Sequence, residues 1–353
     1  MPDSHYITMK DIALRAKVSP STVSLALRND PRIKKATRLR IQEVAGEMGY
    51  RRDPTLSALI AHRTRIRPTG EYGTLAVFHD WDRPEADLPP SMLQTLQGIR
   101  KEADVQGFKI ALFRIPEDDD DTGLRTLNRM LFHRGIRGVI LAAIRRPSLC
   151  LEWKHFSGVV IGEYFDRPLI HRVGNSHETN LELVYRNLKA LGYQRIGFCN
   201  SRISEERKHH RYLGAYYKCL HVEGKDVGSL SPWLYEDKHA SPLDWLERVR
   251  PDAVICSLPH EFEKMLAGSR YRVPDELGLA GFSLPREGDP QTEPYAGSIV
   301  DYTHIGVTAV RLLQSLLHNS IRDIPSELER YDLRVGAVWR EGESVHVQTT
   351  QNK

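Results

Sequence analysis

From Thr74 onward, short apolar runs alternate with helical patterns, and that alternation confines the chain to parallel-sheet architectures. The runs are TLAVF (74–78), KIALFRI (109–115), RGVILAA (137–143), SGVVIG (157–162), RIGFC (195–199), DAVICS (252–257) and LGLAGF (277–282). Helical periodicity fits the intervals 91–106, 122–134, 178–191 and 205–222. Alternation of this kind implies parallel strands joined by crossover helices. Doubly wound sheets take ligands at the carboxyl ends of their strands. At 353 residues the chain exceeds one ordinary core, so two or three domains are expected.

The first 70 residues are of another kind. Residues 1–68 hold 14 Lys/Arg and 6 Asp/Glu, a net of +8, whereas the remainder nets −4 and the whole chain +4. A basic head on a mildly acidic body suits a protein whose head alone must meet a polyanion. Charge by itself does not separate DNA from RNA or anionic lipid. The four cysteines (Cys150, Cys199, Cys219, Cys256) form no CxxC pair. They read as reduced, mostly buried thiols of a cytoplasmic protein, not a disulfide frame or zinc site. With no N-terminal apolar segment and no long apolar run, neither secretion nor a membrane role is expected.

Within the head, Thr8 with Asp11 three residues on makes a capping box for a helix over 9–16, striped by Ile12, Ala13 and Ala16. After a short turn at Lys17 and Val18, Ser19 reads as an N-cap and Pro20 as the first helical residue of a second helix, to Leu27. A third helix follows NDP (29–31), carrying Ile41, Val44, Ala45 and Met48 before Gly49. Two short helices joined by a tight turn, then a bracing helix, make a helix-turn-helix, whose second helix can enter a major groove. A generic three-helix bundle is the alternative. On the second helix Val23, Ala26 and Leu27 share one face; Leu25 falls with Ser21, Ser24 and Arg28 on the other.

The segment TMKDIALRAKVSPSTVSLALRNDPRIKKATRLRIQEVAGEMGY resembles the DNA-binding headpiece of the lactose/galactose repressor (LacI/GalR-type) regulators. The resemblance implies base contacts from Pro20, Ser21 and the outward Leu25. It implies phosphate contacts from Ser19, Thr22, Ser24, Arg28, Arg32, Thr37 and Arg38, with Tyr50 in the same DNA-contacting set. Lys17 stands where the family usually has glycine, and Leu25 where it usually has arginine, so the usual operator sequence is not expected. In YRRDPTLSALIAHR, Asp53 and Pro54 start another short helix, too short to persist alone in water. The resemblance makes it a hinge helix that orders on DNA and pairs with its twin, with Leu59 as a minor-groove wedge; a linker with a stray leucine is the alternative. HRTRIRPTGEYG (62–73) reads as a basic tether.

The order of elements after residue 74 is similar to that family's effector core. This implies a two-lobed, periplasmic-binding-protein-like α/β fold of doubly wound parallel sheets, with crossings near Val173–His177, Ser298–Tyr302 and Asp332–Val335. Three segments are therefore expected: an all-α headpiece with hinge helix (1–61), a linker (62–73) and a two-lobed effector-binding and dimerisation core (74–353). Arg211 aligns with an arginine that grips effector, though an ordinary structural arginine is the alternative. The positions that usually accept sugar hydroxyls are altered, to Ser176 and His177, to Leu258-Pro259 and to Ser283. Asp301, at the second crossing, completes the expected effector set. Either the ligand differs from a sugar held in the customary way, or there is none.

No catalytic motif is present in the sequence: no GxGxxG after a strand, no phosphate loop, no HExxH and no GxSxG. His209 and His210, adjacent on an expected helix, point apart and suit no metal. EDDDD (117–121) reads as a solvated loop and helix start, and WDRPEADLPP (81–90) as a cleft-side loop. The expected function is a non-enzymatic transcription regulator without cofactor, binding a double-stranded DNA operator as a homodimer and modulated by a small molecule (sugar or anionic metabolite). A receptor without DNA function and an α/β enzyme with a regulatory head are the alternatives.

Overall fold

The computed structural model describes residues 9–27, 32–48, 50, 73–115, 121–142, 144, 148–165, 167–236, 241–286 and 290–348. Thr8, Arg28, the NDP segment, the expected hinge helix with Leu59, most of the tether and most of EDDDD lie outside them.

The first two helices of the head fall at the expected bounds, and the third begins at Lys35 with no side-chain cap on Lys34. α1 (Met9–Ala16), α2 (Pro20–Leu27) and α3 (Lys35–Glu47) close on a small core of Ile12, Ala13, Ala16, Val23, Ala26, Ile41 and Ala45. Ser19 caps α2, its Oγ accepting from Thr22 N at 3.1 Å. Two side chains fix α3 to the pair: Arg40 donates to Ala16 O and Gln42 to Ala26 O, each at 3.2 Å. Lys17 takes the left-handed conformation the turn requires, with φ 54°. A non-glycine residue there is strained by roughly 1–2 kcal/mol, part of which glycine's larger unfolded-state freedom offsets. Lys17→Gly is therefore expected to stabilise the head by up to about 1 kcal/mol. Slower amide exchange in α1 and α2 would register it, and unchanged exchange would contradict it.

The first sheet holds β1 (Thr74–His79), β2 (Lys109–Arg114), β3 (Gly138–Leu141), β4 (Ser157–Ile161), β5 (His171–Asn175) and β11 (Asp332–Val335), in the order β11-β5-β4-β3-β1-β2. Every neighbouring pair in it is parallel. β1 shows why its strands read as continuous apolar runs: Leu75 and Val77 enter one core, Ala76 and Phe78 the other. α4 (Pro90–Gln106) and α5 (Asp121–His133) cross over it. Trp81 and Leu88 of the WDRPEADLPP loop are buried, and Trp81 stacks on His79 at 3.6 Å.

The second sheet is β12-β10-β9-β8-β6-β7. Its strands are β6 (Ile196–Ser201), β7 (Trp233–Tyr235), β8 (Ala253–Cys256), β9 (Gly278–Pro285), β10 (Ala296–Val300) and β12 (Ala337–Arg340), the last antiparallel. Its helices are α6 (His177–Ala190), α7 (Arg202–Arg207), α8 (Arg211–Val222), α9 (Leu243–Val249) and α10 (Pro259–Met265). Both sheets share one strand order, whose switch point lies between the first strand and its neighbours, where such folds bind ligands.

The chain passes between lobes three times: from β5 to α6, from β10 to α11 (Tyr302–His318), and from β11 to β12. The first two crossings fall inside the expected windows; the third follows Val335, at Gly336. α11 returns to the first lobe and lies on α4 with backbones nearly touching. A Cβ on Gly98 would stand 2.0 Å from Thr303 O, and one on Gly306 2.2 Å from Thr95 O.

One expected element is different. The helix read over 205–222 is two helices, α7 and α8, broken at Lys208–His210. His209 and His210 both have positive φ, 52° and 55°. They lie in a turn, not on a helix. Buried Glu205 holds that turn, accepting from Asn200 Nδ2 at 2.5 Å and from Leu213 N at 3.1 Å.

Candidate DNA-reading face and ligand cleft

α2 presents the residues that the headpiece resemblance singled out. Val23 and Ala26 are fully buried, whereas Ser19, Pro20 and Ser21 are exposed and Thr22, Ser24 and Leu25 half-buried. Leu25 lies outside the head's apolar core, unlike its neighbour Leu27, which packs on it. The Ser19 hydroxyl is engaged in the cap, within 2.7 Å of Ser21 Oγ and 2.8 Å of Thr22 Oγ1. Thr37 and Arg38 stand in the first turn of α3 and Arg32 just before it, exposed or half-buried. Tyr50 follows α3 and rests partly on the head's core. Arg28 and Leu59 lie outside the described residues.

In the core, Ser176, His177 and Asp301 stand at the crossings, and Arg211, Ser283, Ser176 and Asp301 are already engaged by the chain itself. Arg211 Nη1 donates to Glu178 Oε1 at 2.7 Å, and its Nε stands 3.7 Å from Glu163 Oε2. Ser283, at φ 60°, accepts from Asn175 Nδ2 at 2.9 Å and pairs with the Tyr212 hydroxyl. Ser176 donates its N–H to Val335 O at 3.0 Å, tying the first crossing to the third. Asp301 caps α11, accepting from His304 N at 2.8 Å, and pairs with Arg286 at 3.2 Å. Leu258 is exposed at the head of α10. His177 is buried at the start of α6. Burial, with Lys208 and Arg211 nearby, lowers its pKa to about 3, so it is neutral at working pH. Its 3.7 Å approach to Glu163 is then neither an ion pair nor a hydrogen bond.

Glu163 is not among the residues expected from the sequence, and the cleft is built around it. It follows β4 and is buried, with Arg172 Nη1 2.9 Å from Oε2 and Arg334 on the same carboxylate. Arg211 and His177 approach it from the other lobe. His209 Nε2 stands 3.4 Å from the Glu163 carbonyl, and Arg207 lies 5.1 Å over the Tyr164 ring. Carboxylate acceptors are therefore present in the cleft, supplied by Glu163 and Glu178 and not by the positions where the resemblance looked for them. A visible signal existed: Glu163 directly follows the apolar run SGVVIG, at a strand's carboxyl end. Beside it, a pocket of about 170 Å³ is lined by Met92, Leu96, Ile161, Asn175, Tyr302 and Ile305, among others.

Comparison with known proteins agrees with these two parts. Residues 8–53 match the family described as "Bacterial regulatory proteins, lacI family". The chain is 53% identical over 287 residues to the HTH-type transcriptional repressor CytR of Escherichia coli (strain K12), covering 78% of this chain and 79% of that one. Its fold is similar to a transcriptional regulator CelR–cellobiose complex (TM-score 0.57, 17% identity, 96% and 99% of the two chains). It is also similar to a lac repressor dimer bound to operator (TM-score 0.55, 16% identity, 96% and 98%). A head closed on its own core, an outward α2 and a two-lobed core thus meet in one lineage of transcriptional regulators, and the chain belongs to the lacI family of bacterial regulatory proteins.

Proposed function

We propose that the protein is a cytoplasmic transcriptional repressor that binds an inverted-repeat operator in double-stranded DNA as a homodimer. In this reading residues 1–61 bind DNA, 62–73 are a tether, and 74–353 dimerise and bind a small molecule that sets operator affinity. It acts by occupying DNA, as the regulators it resembles do, and not by catalysis. The observation that carries the reading is α2: a capped, braced helix whose outer face holds Ser21, Ser24 and Leu25 while Val23 and Ala26 are buried. One short helix reads too few bases, and a two-fold dimer supplies the second half-site. Gel-shift with the DNA upstream of its own gene should give a complex of two chains per site, and residues 74–353 alone should give none. A monomer bound one-to-one would contradict the proposal.

The expected hinge leucine gives a narrower test. Leu59→Ala should weaken specific binding several-fold and reduce DNA bending while leaving the core folded, because the wedge no longer offsets the cost of opening a base step. Unchanged bending in a circular-permutation assay would make Leu59 a linker residue.

A further inference from the structure

At the head of α6 and the α7–α8 turn, several buried polar groups, donors among them, lack hydrogen-bond partners. His177 is 4% exposed with neither ring nitrogen hydrogen-bonded, and Asn180, one turn on, is 1% exposed with neither amide atom bonded. Arg211 Nε also lacks a hydrogen-bond partner. Lys208 bonds Ser204 Oγ and lies 5.9 Å over the Tyr212 ring, and the Glu205 carboxylate attracts it from a distance. Burial holds its ammonium below the ordinary lysine pKa. Buried polar groups are nearly always satisfied, so a set of orphans at one place calls for a missing partner.

That partner is constrained by its hydrogen-bonding character. A sugar hydroxyl brings a donor with each acceptor and suits a site rich in acceptors. An oxyanion brings acceptors alone, and helix starts, lysine and arginine are the groups that hold it. Arg211 is now held at 2.7 Å by Glu178 of its own lobe, and is approached at 3.7 Å, from the other lobe, by Glu163. It keeps Arg172 at 2.9 Å and Arg334 on its own side whether or not Arg211 turns away. Losing Arg211 therefore leaves no buried charge unpaired.

We infer that the cleft's ligand carries an oxyanion group, phosphate or carboxylate, which docks at Lys208, Arg211 and the first turn of α6, and that Glu163 holds this place in the ligand-free protein. The inference rests on the reading of the cleft as a small-molecule site. It differs from the customary sugar site in needing donors where that site needs acceptors.

The test uses the full chain, with inorganic phosphate as the probe, sodium chloride of matched ionic strength as the control and glucose as a neutral comparator. Phosphate should raise the melting temperature beyond the chloride control, and calorimetric titration should give a saturable site. Lys208→Met should abolish that site, which separates it from phosphate drawn to the basic head. Glu178→Gln, which frees Arg211 from an exposed partner, should tighten phosphate binding by roughly tenfold. Phosphate without effect on the wild type and on Glu178→Gln, or a site that survives Lys208→Met, overturns the inference. Saturable binding of glucose without phosphate binding overturns it too, but leaves the small-molecule reading standing; indifference to both probes counts against both.

Discussion

Operator affinity of the full chain is expected to fall roughly 10³- to 10⁵-fold between about 50 and about 200 mM salt, the response of a protein that neutralises about six to ten phosphates. Residues 1–68 carry 14 Lys/Arg against 6 Asp/Glu, so a dimer brings two such heads to one duplex. Arg32 and Arg38 flank the start of α3 on the described surface, exposed and half-buried respectively. The remainder of the chain is net negative and adds no attraction of this kind. Fluorescence anisotropy across a salt series reads the slope directly. A flat response would mean that the head's charge does not face phosphate.

Leu25 is expected to set base preference. Its neighbours Val23 and Ala26 fill the inner face of α2 and Leu27 packs beside them, so Leu25 has no place in the core. It is half-buried yet outside that core, between hydroxyl side chains at Ser21 and Ser24. A leucine offers no hydrogen bond, and its specific option in a major groove is the thymine methyl. Leu25→Arg should move the preference at that position from A·T toward G·C by about 1–3 kcal/mol, the worth of a bidentate arginine–guanine contact. Leu25→Ala should lose on the order of 1 kcal/mol of the A·T preference. Competition binding with single-base operator variants checks both. Identical rankings from wild type and the two variants would make Leu25 an exposed leucine and nothing more.

The parts legible in the sequence are those fixed by local chemistry. Ser19 and Pro20 announce α2 because a cap and a donorless first residue act within one turn. β1 and β8 announce themselves because both of their faces are buried. β5 does not. Its sequence HRVGN looks polar, and its burial depends on distant partners: His171 Nδ1 accepts from Tyr331 N at 3.1 Å, and Arg172 reaches Glu163. The break between α7 and α8 carries no glycine or proline; two histidines take positive φ because Glu205, buried and fully bonded, holds the turn. The cleft was the least legible part. Arg211 and Ser283 face the cleft, but what each touches is set by Glu163, Glu178, Asn175 and Tyr212, residues far apart in the chain. Glu163 and Arg334 are 171 positions apart, and no local pattern joins them.

A homodimer that reads DNA through α2 must select its own site. Selection from randomised duplex DNA by the full chain tests it most directly. The expected result is enrichment of an inverted repeat with A·T at the position facing Leu25 in each half-site, at two chains per duplex. A pool that stays random through successive rounds, or that converges on a single asymmetric half-site bound by one chain, would contradict it.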